Sequence, residues 1–214
     1  MKINKIIQRA LKELDGYQVV NLGIGLPSKL INYLPDNLDV QIHTENGVLG
    51  AWKRACYRTA DASLIDAGGT YITTRPGSSF FDSSVSFAMI RRSKIQLSLM
   101  GAFEVDGFGN LANWKRPGSY SPGIGGAMEL AQKCDRIVVL CSHNDKYGNS
   151  KIVTRCKLPW TAPHCVSRII TDKAVMDVTE AGLVLREMSD DIELEELIQL
   201  TDADFIVSKD LGRF

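Results

Sequence analysis

Apolar residues in this chain recur with two spacings, one typical of helices and one of short buried strands. In residues 3–14 they return every three or four positions, which predicts an amphipathic helix. Where capping residues or a glycine turn precede an apolar face, further helices are predicted at 27–34, after 82–84, at 127–133 and at 191–200. Short apolar runs predict strands at 17–22, 40–44, 63–67, 94–100, 111–114, 136–141, 166–171, 183–188 and 205–207.

The alternation of strands and helices predicts an α/β layered domain. Turns are predicted at 75–77, 106–110 and 181–182 from their glycine, proline and aspartate content. The chain has 214 residues, 44% of them apolar and 23% charged, which is ordinary for a globular protein. Because no linker, internal repeat or low-complexity tract divides it, we predict a single domain over residues 1–214.

One carboxylate stands at the end of a predicted strand. The apolar run that ends at Thr44 is followed by Glu45 and then by an Asn46-Gly47 turn. In open α/β sheets the ligand crevice lies at the carboxyl ends of the strands, which makes Glu45 a candidate site residue. An isolated Glu-Asn-Gly tripeptide is more often a solvated loop, so this motif alone leaves both interpretations open.

Two glycine-rich turns each lead into a predicted helix. The first is Gly23-Ile24-Gly25, and the second spans residues 123–126. The first is not a dinucleotide fingerprint, because Ser28 stands where the third glycine is required. Glycines at such positions allow a tight strand-to-helix turn and also let backbone approach a ligand closely.

Four collinear segments carry a resemblance to a known family. Thr44-Glu45-Asn46-Gly47 resembles the S-E-N-G motif of family I coenzyme A transferases. Segments 21–27, 109–114 and 122–130 match the same family in the same order. The match runs from about residue 6 to about residue 204 and resembles the β subunit of 3-oxoacid CoA-transferases of the acetoacetate or succinyl type.

The resemblance implies an open, mostly parallel sheet with helices on both faces. It also implies that Glu45 is the covalent nucleophile and that Gly125 and Gly126 donate N–H groups to a developing oxyanion. The other residues that it places against substrate are Gly23, Gly25 and Asn46. A carboxylate suits CoA transfer because its mixed anhydride keeps the reactivity of the thioester. Its reference pKa of about 4.3 leaves it ionised without a general base.

Substrates and partners follow from the same resemblance. Coenzyme A is expected as a substrate, with no tightly bound cofactor and no metal. A separate, homologous α subunit is expected to complete the site in an α2β2 assembly, since the chain has no room for a fused second half. The sequence itself shows neither a phosphate-loop lysine nor a basic cluster for the CoA phosphates.

Three rival functions remain open at this point. The same fold could use a different acid pair, such as butyrate with acetoacetate, or acetate. An acyl-CoA hydrolase would resolve the intermediate with water. A catalytically silent regulatory subunit would have no need of Glu45.

One segment departs from the family pattern. Gly50 is kept after the Glu-Asn-Gly motif, but Trp52-Lys53 stands where Gly-Pro is usual. We expect these two residues either to reshape the acyl pocket or to lie exposed on an outward loop.

Charge and cysteine content exclude several classes of protein. The 25 basic and 25 acidic residues cancel, which argues against a nucleic-acid-binding surface. No apolar run approaches the ~18 residues of a membrane span, and the N-terminus lacks a signal-peptide core. Five cysteines without a C-x-x-C pair argue against a disulfide framework and a zinc site. We therefore predict a cytoplasmic protein with reduced thiols, three of which, Cys134, Cys141 and Cys156, fill the core.

Five further polar residues are predicted to lie outside the chemistry. His43 is expected to be packed and hydrogen-bonded on its strand. His143 and His164 lack metal-ligand spacing and are expected to be structural or exposed. Glu104 and Asp106 flank a predicted turn and are expected to be solvated.

Overall fold

The computed structural model describes residues 2–58, 60–121 and 123–214; Pro122, the first residue of the 122–130 segment, lies outside them. The helices are α1 (Lys2–Leu11), α2 (Ser83–Arg91), α3 (Ala127–Lys133) and α4 (Leu194–Leu200), with 3-10 helices at Lys12–Leu14 and Pro27–Tyr33. The strands are β1 (Val19–Leu22), β2 (Gln41–Thr44), β3 (Val48–Arg54), β4 (Ile72–Phe80), β5 (Leu97–Gly101), β6 (Glu104–Asp106), β7 (Leu111–Ala112), β8 (Arg136–Leu140), β9 (Ile152–Val153), β10 (Arg168–Ile170), β11 (Ala174–Thr179), β12 (Gly182–Met188) and β13 (Phe205–Arg213).

Ten strands form one sheet in the order β13-β12-β11-β10-β8-β5-β1-β2-β3-β4, and β7, β6 and β9 form a small second sheet. The central strands β2, β1, β5, β8 and β10 are parallel, with antiparallel pairings added on either side. Of the nine pairings that the described residues make in the large sheet, five are parallel. The predicted α/β fold with a mostly parallel sheet is therefore confirmed.

The central strands are buried on both faces. Along β8, Ile137 and Val139 belong to the core cluster that includes residues of α2 and α3. Val138 and Leu140 belong to the opposite cluster, which includes residues of α1. Because successive side chains point to opposite faces, a strand between two helical layers reads as a continuous apolar run.

The Asn46-Gly47 turn joins β2 to β3 in a hairpin, with Thr44 opposite Val48. Gly47 has a φ of 119°, and a Cβ atom there would lie 2.0 Å from the carbonyl oxygen of Phe81. Only glycine fits this position, because both the backbone angle and the contact exclude a side chain.

Two predictions on the β3–β4 side of the sheet are wrong. Residues 63–67 form no strand, and only Ile65 makes a single bridge, to Tyr71. The predicted turn at 75–77 lies inside β4. β4 is the edge strand of the sheet. Proline is tolerated on an edge because its missing N–H faces away from the neighbouring strand.

The predicted helix at 191–200 begins later, at Leu194, with Glu193 in the N-cap position. Asp191 instead forms a salt bridge of 2.8 Å with Lys5 of α1 and accepts a hydrogen bond from the Ser189 hydroxyl. Since its carboxylate is engaged by α1, it does not cap the helix.

Two five-residue turns share the pattern D-x-[FY]-G-N and the same hydrogen bonds. Asp106 and Asp145 each accept from the backbone N–H groups two and four residues later, and from the side chains of Asn110 and Asn149 respectively. Asp106 is fully buried and also accepts from the N–H of Cys156. The prediction that Asp106 is solvated is wrong, because backbone donors replace its water.

Thiol positions follow the sequence prediction. Cys141 and Cys156 are buried, and Cys134 packs against the larger core cluster. Burial raises the pKa of Cys141 to about 11, which keeps it a thiol at neutral pH. Within the described residues, no helix has the length and apolarity needed to cross a membrane.

A buried ion network ties the N-terminal segment to the sheet. Glu13 is 8% exposed and binds the guanidinium groups of Arg168 at 2.7 Å, Arg9 at 2.8 Å and Arg136 at 3.1 Å. Arg168 is bound in turn by Asp177 at 2.6 Å. Burial alone would raise the pKa of Glu13, but hydrogen bonds from Arg168 and Arg9 and their charges outweigh it, so its pKa is lowered.

Replacing Glu13 by alanine should destabilise the fold by about 3 kcal/mol, because the guanidinium groups around it lose their shared counter-charge. We expect the low end of the usual range since Arg136 and Arg168 remain partly exposed. Urea unfolding measures the change. Asp36→Ala is the control: its salt bridge with Lys53 is exposed, so its loss should destabilise the fold far less. Equal losses in the two variants would contradict the assigned role.

Candidate functional site

A cavity of about 550 Å³ opens at the carboxyl ends of the central parallel strands. Gly23 and Ile24 follow β1, Glu45 follows β2, and residues 100–103 line it from the end of β5. Residues 140–142, at the end of β8, complete this side of the wall. The sheet thus gathers its ligand-facing residues where α/β folds place their binding crevices.

The glycine segment before α3 forms the wall opposite these strand ends. The backbone N–H of Gly126 donates a hydrogen bond to the Glu45 carboxylate. A Cβ atom on Gly126 would lie 2.8 Å from Oε2 of Glu45 and 3.0 Å from Cζ of Phe87. Gly125 has a φ of 56°, which favours glycine. The carboxylate therefore rests directly on bare backbone.

The environment of Glu45 acts on its charge in two opposing ways. Burial raises the pKa of the carboxyl, and the hydrogen bond from Gly126 offsets part of that increase. The net pKa is raised above the ordinary value for glutamate. A carboxylate that has lost part of its water is a better nucleophile than a fully hydrated one.

A buried chain of hydrogen bonds lies beneath Glu45 and holds the ends of three strands and α2. Asn21 of β1 donates to Nδ1 of His43 at 3.3 Å, and Ser98 of β5 donates to Asn21 at 3.1 Å. Nε2 of His43 lies 2.9 Å from the hydroxyl of Ser86 in α2. Since Nδ1 accepts, the proton resides on Nε2. Burial lowers the pKa of His43 to about 4, so the ring is neutral, and its predicted packed state is confirmed.

The predicted site residues fall into two groups. Glu45, Gly23, Gly125 and Gly126 line the same cavity. Asn46 and Gly25 are not among its lining residues.

The Asn46 side chain is held by its own surroundings. It accepts a hydrogen bond from the Thr44 hydroxyl at 2.7 Å and donates one to the carbonyl of Ile65 at 2.8 Å. It therefore fixes the hairpin turn to the 63–67 segment.

The departing residues Trp52 and Lys53 lie away from the cavity. The β2–β3 hairpin carries them along β3, away from the carboxyl end of β2 where Glu45 stands. Arg75 stacks on the Trp52 ring, 3.8 Å from its centroid, and Lys53 pairs with Asp36. The expectation that they reshape the acyl pocket is wrong, because each is engaged on the sheet surface.

Several cavity residues were not singled out from the sequence. Asn113 and Trp114 belong to a matching segment, and Asn113 accepts a hydrogen bond from Thr161 at 2.6 Å. Phe103 and Lys151 carry no local signal. Lys151 reaches the cavity only because the D-x-[FY]-G-N turn at 145–149 folds the chain back toward β6.

No group of three or more His, Cys, Asp or Glu side chains that could hold a metal ion is found among the described residues. His143 is buried between the hydroxyls of Thr171 and Thr201, and His164 is exposed, in line with their predicted structural or exposed states.

Comparison with known proteins identifies relatives along most of the chain. Residues 3–199 match the profile of the family described as coenzyme A transferase. One subunit of a probable succinyl-CoA:3-ketoacid coenzyme A transferase from Bacillus subtilis is 43% identical over 96% of this chain and 95% of its own length. The beta subunit of the Haemophilus influenzae acetate CoA-transferase is 42% identical over 96% and 92%. Human mitochondrial succinyl-CoA:3-ketoacid coenzyme A transferase 2 is 41% identical, but this chain spans only 40% of its length.

Solved structures share the fold. The acyl-CoA transferase YdiF of Escherichia coli O157:H7 matches all of this chain with a TM-score of 0.79 and 19% identity, and this chain covers 43% of it. Glutaconate coenzyme A-transferase of Acidaminococcus fermentans matches with a TM-score of 0.71 and 13% identity, over 100% of this chain and 88% of that one. At these identities the likeness concerns the fold alone.

Replacing Glu45 by glutamine should raise the melting temperature at pH 7. A carboxyl whose pKa is higher in the folded than in the unfolded state costs stability once both states are ionised. The neutral amide removes that cost, and the gain should disappear at a pH below about 4, where the carboxyl is protonated in both states. Scanning calorimetry across this pH range measures it. Glu180→Gln, on an exposed turn, is the control and should show no such pH-dependent gain.

Proposed function

This chain belongs to the coenzyme A transferase family, and on that premise we propose that it is the β subunit of a 3-oxoacid CoA-transferase. It would move CoA between an acyl-CoA, such as succinyl-CoA or acetyl-CoA, and a 3-oxoacid such as acetoacetate. The observation that carries the proposal is the Glu45 carboxylate, held in a cavity against the backbone N–H of Gly126. Relatives more than 40% identical are named as subunits of CoA transferases, and those from Bacillus subtilis and Helicobacter pylori include succinyl-CoA:3-ketoacid transferases.

In the first half-reaction a Glu45 oxygen attacks the thioester carbonyl of the acyl-CoA. The CoA thiolate leaves, and a mixed anhydride joins the acyl group to Glu45. The thiolate then attacks the glutamyl carbonyl, expels the first acid as a carboxylate, and leaves a glutamyl-CoA thioester. The second acid reverses these steps. Every leaving group departs as an anion, so the sequence requires no proton transfer.

Each addition places negative charge on a carbonyl oxygen. The N–H of Gly126 already bonds the Glu45 carboxylate, so it is positioned to stabilise the oxyanion formed when thiolate attacks the glutamyl carbonyl. Gly125 is the neighbouring candidate donor for the acyl carbonyl. Gly23 packs closely on the backbone of β5, where a Cβ atom would lie 3.0 Å from the carbonyl oxygen of Leu99.

A second subunit is part of the proposal. Several bacterial relatives are named as subunits, and the human relative is a longer chain of which this one spans 40%. Both facts support an α chain that completes the site, for which we propose an α2β2 assembly. The cytoplasmic location expected from the sequence stays a prediction.

Acetate is a second candidate for the acid. The Haemophilus influenzae relative is named as part of an acetate CoA-transferase, and its identity of 42% is close to the 43% of the succinyl-CoA:3-ketoacid relative. A panel of acids assayed with the assembled enzyme separates the two.

Incubating the assembled enzyme with an acyl-CoA and no acceptor acid should attach CoA to Glu45. Mass spectrometry of the peptide that contains Glu45 should show the CoA adduct, and borohydride should inactivate this form by reducing the thioester. Glu45→Ala should give neither adduct nor CoA exchange. The chain purified without its α partner should stay unlabelled. Full transferase activity in Glu45→Ala would overturn the assignment of the nucleophile.

Replacing Gly126 by alanine should lower kcat/KM by about 100-fold while leaving the fold intact. The backbone of Gly126 has an ordinary φ of −77° that alanine adopts, so the added methyl acts only by displacing Glu45 and Phe87. A displacement of about 1 Å is enough for a loss of this size. Steady-state kinetics and a melting curve measure the two effects. Gly107→Ala is the control, because a Cβ there meets nothing within 4 Å; equal activities in both variants would contradict the prediction.

A further inference from the structure

A second cavity, of about 420 Å³, adjoins the one that holds Glu45. The two share Phe103 and Lys151 as lining residues, so they meet at this pair. The guanidinium of Arg116 lies over the Phe103 ring, 5.3 Å from its centroid, on the side of the second cavity. The second cavity is therefore the immediate neighbour of the compartment that holds Glu45.

Each carboxylate that lines the second cavity accepts at least one hydrogen bond from a backbone N–H group. Glu104 accepts from the N–H groups of residues 157 and 158 at 2.7 and 3.0 Å. Asp145 accepts from its own turn, and Asp202 accepts from the N–H of Thr154 at 3.3 Å. These hydrogen bonds engage part of each carboxylate and hold it in place beside the cations of the cavity.

Three cations line the same cavity, namely Arg116, Lys151 and Lys157. None of them forms a salt bridge with another of the described residues. Asp145 is the nearest competitor: its pKa is lowered most by the Asn149 side chain and least by the charge of Arg116. Arg116 and Lys151 are also half-buried, so their charges are partly removed from water. These three cations are therefore available to bind an anion with more than one charge, while the neighbouring carboxylates are held by backbone donors.

We propose that the second cavity binds the phosphate groups of CoA through Arg116, Lys151 and Lys157, with the pantetheine arm passing between Phe103 and Lys151. The inference rests on the proposed function. CoA carries its thiol and its phosphates at opposite ends of a long chain, and the structure places the nucleophile and these cations in successive compartments. Separate residues along the sequence, 116, 151 and 157, meet here only in the fold, which is why no basic cluster is visible in the chain.

The test compares an acyl-CoA with the corresponding acyl-pantetheine, which has the same thioester but no phosphate. In the assembled enzyme, Arg116→Gln, Lys151→Gln and Lys157→Gln should each lower kcat/KM for the acyl-CoA by about tenfold or more, the usual worth of a hydrogen bond to a charged group. For the acyl-pantetheine, the kcat/KM of Arg116→Gln and of Lys157→Gln should stay close to that of the unmodified enzyme. Lys151 also lines the passage of the pantetheine arm, so its variant is compared for the acyl-CoA only. Desulfo-CoA, which cannot react, should bind each variant more weakly by the same factor in calorimetry.

Lys209→Gln is the matched control, since Lys209 is exposed on β13 at the far end of the sheet. Its replacement should change neither the kcat/KM for either thioester nor the binding of desulfo-CoA. Lys157 is itself exposed, so its replacement does not threaten folding. Equal losses with both thioesters, or a loss only in the KM of the acid, would assign these cations to the acyl group and overturn the proposal. An unmodified enzyme that transfers neither CoA nor pantetheine to an acid would instead overturn the proposed function.

Discussion

The contact between the Glu45 carboxylate and the backbone of Gly126 is the constraint on which the site depends. It joins the end of β2 to the start of α3, two elements far apart in sequence, with no side chain between them. Burial disfavours the charge of Glu45 and the N–H of Gly126 supports it, so the pKa of the carboxyl records their balance. A methyl group at Gly126 would occupy the space that the Glu45 carboxylate fills. A more hydrated position would make that carboxylate a weaker nucleophile.

The surrounding architecture maintains this contact from both faces of the sheet. Beneath Glu45, His43 and Asn21 connect β1 and β2 to α2 and β5 through buried hydrogen bonds. On the other side of the sheet, Glu13 fastens the N-terminal segment to two strands, through Arg136 of β8 and Arg168 of β10. Neither set of residues faces substrate in the proposed mechanism. They fix where the strands end, and strand ends fix where the reacting atoms lie.

Much of the fold was predictable because its signals are local. The helix at Ala127–Lys133 follows a glycine turn, and the buried strand at Arg136–Leu140 is a continuous apolar run. The turn predicted at 75–77 was wrong because turn residues also occur on an edge strand. Which strand lies at an edge depends on the order of strands in the whole sheet, which local sequence does not show. The prediction that Asp106 is solvated failed for a related reason. Its carboxylate accepts hydrogen bonds from its own turn and from the N–H of Cys156, which is fifty residues away in sequence. The place of Glu45 in the site could be predicted from a short motif. That of Lys151 could not, because Lys151 reaches the cavity only through tertiary folding.

The neutral, fully engaged state of His43 and His143 has a consequence for the fate of an activated acyl group. All three histidines are described: His43 and His143 have both ring nitrogens within hydrogen-bonding distance of a partner and pKa values lowered to about 4, and His164 is exposed outside the cavity. No imidazole is thus available to deprotonate water beside Glu45. The acid arrives as a carboxylate, and the CoA thiolate is released as an anion within the site, so each attacks without assistance. In the proposed mechanism, the acyl-enzyme therefore reacts faster with an acid than with water, because these histidines supply no base to activate water.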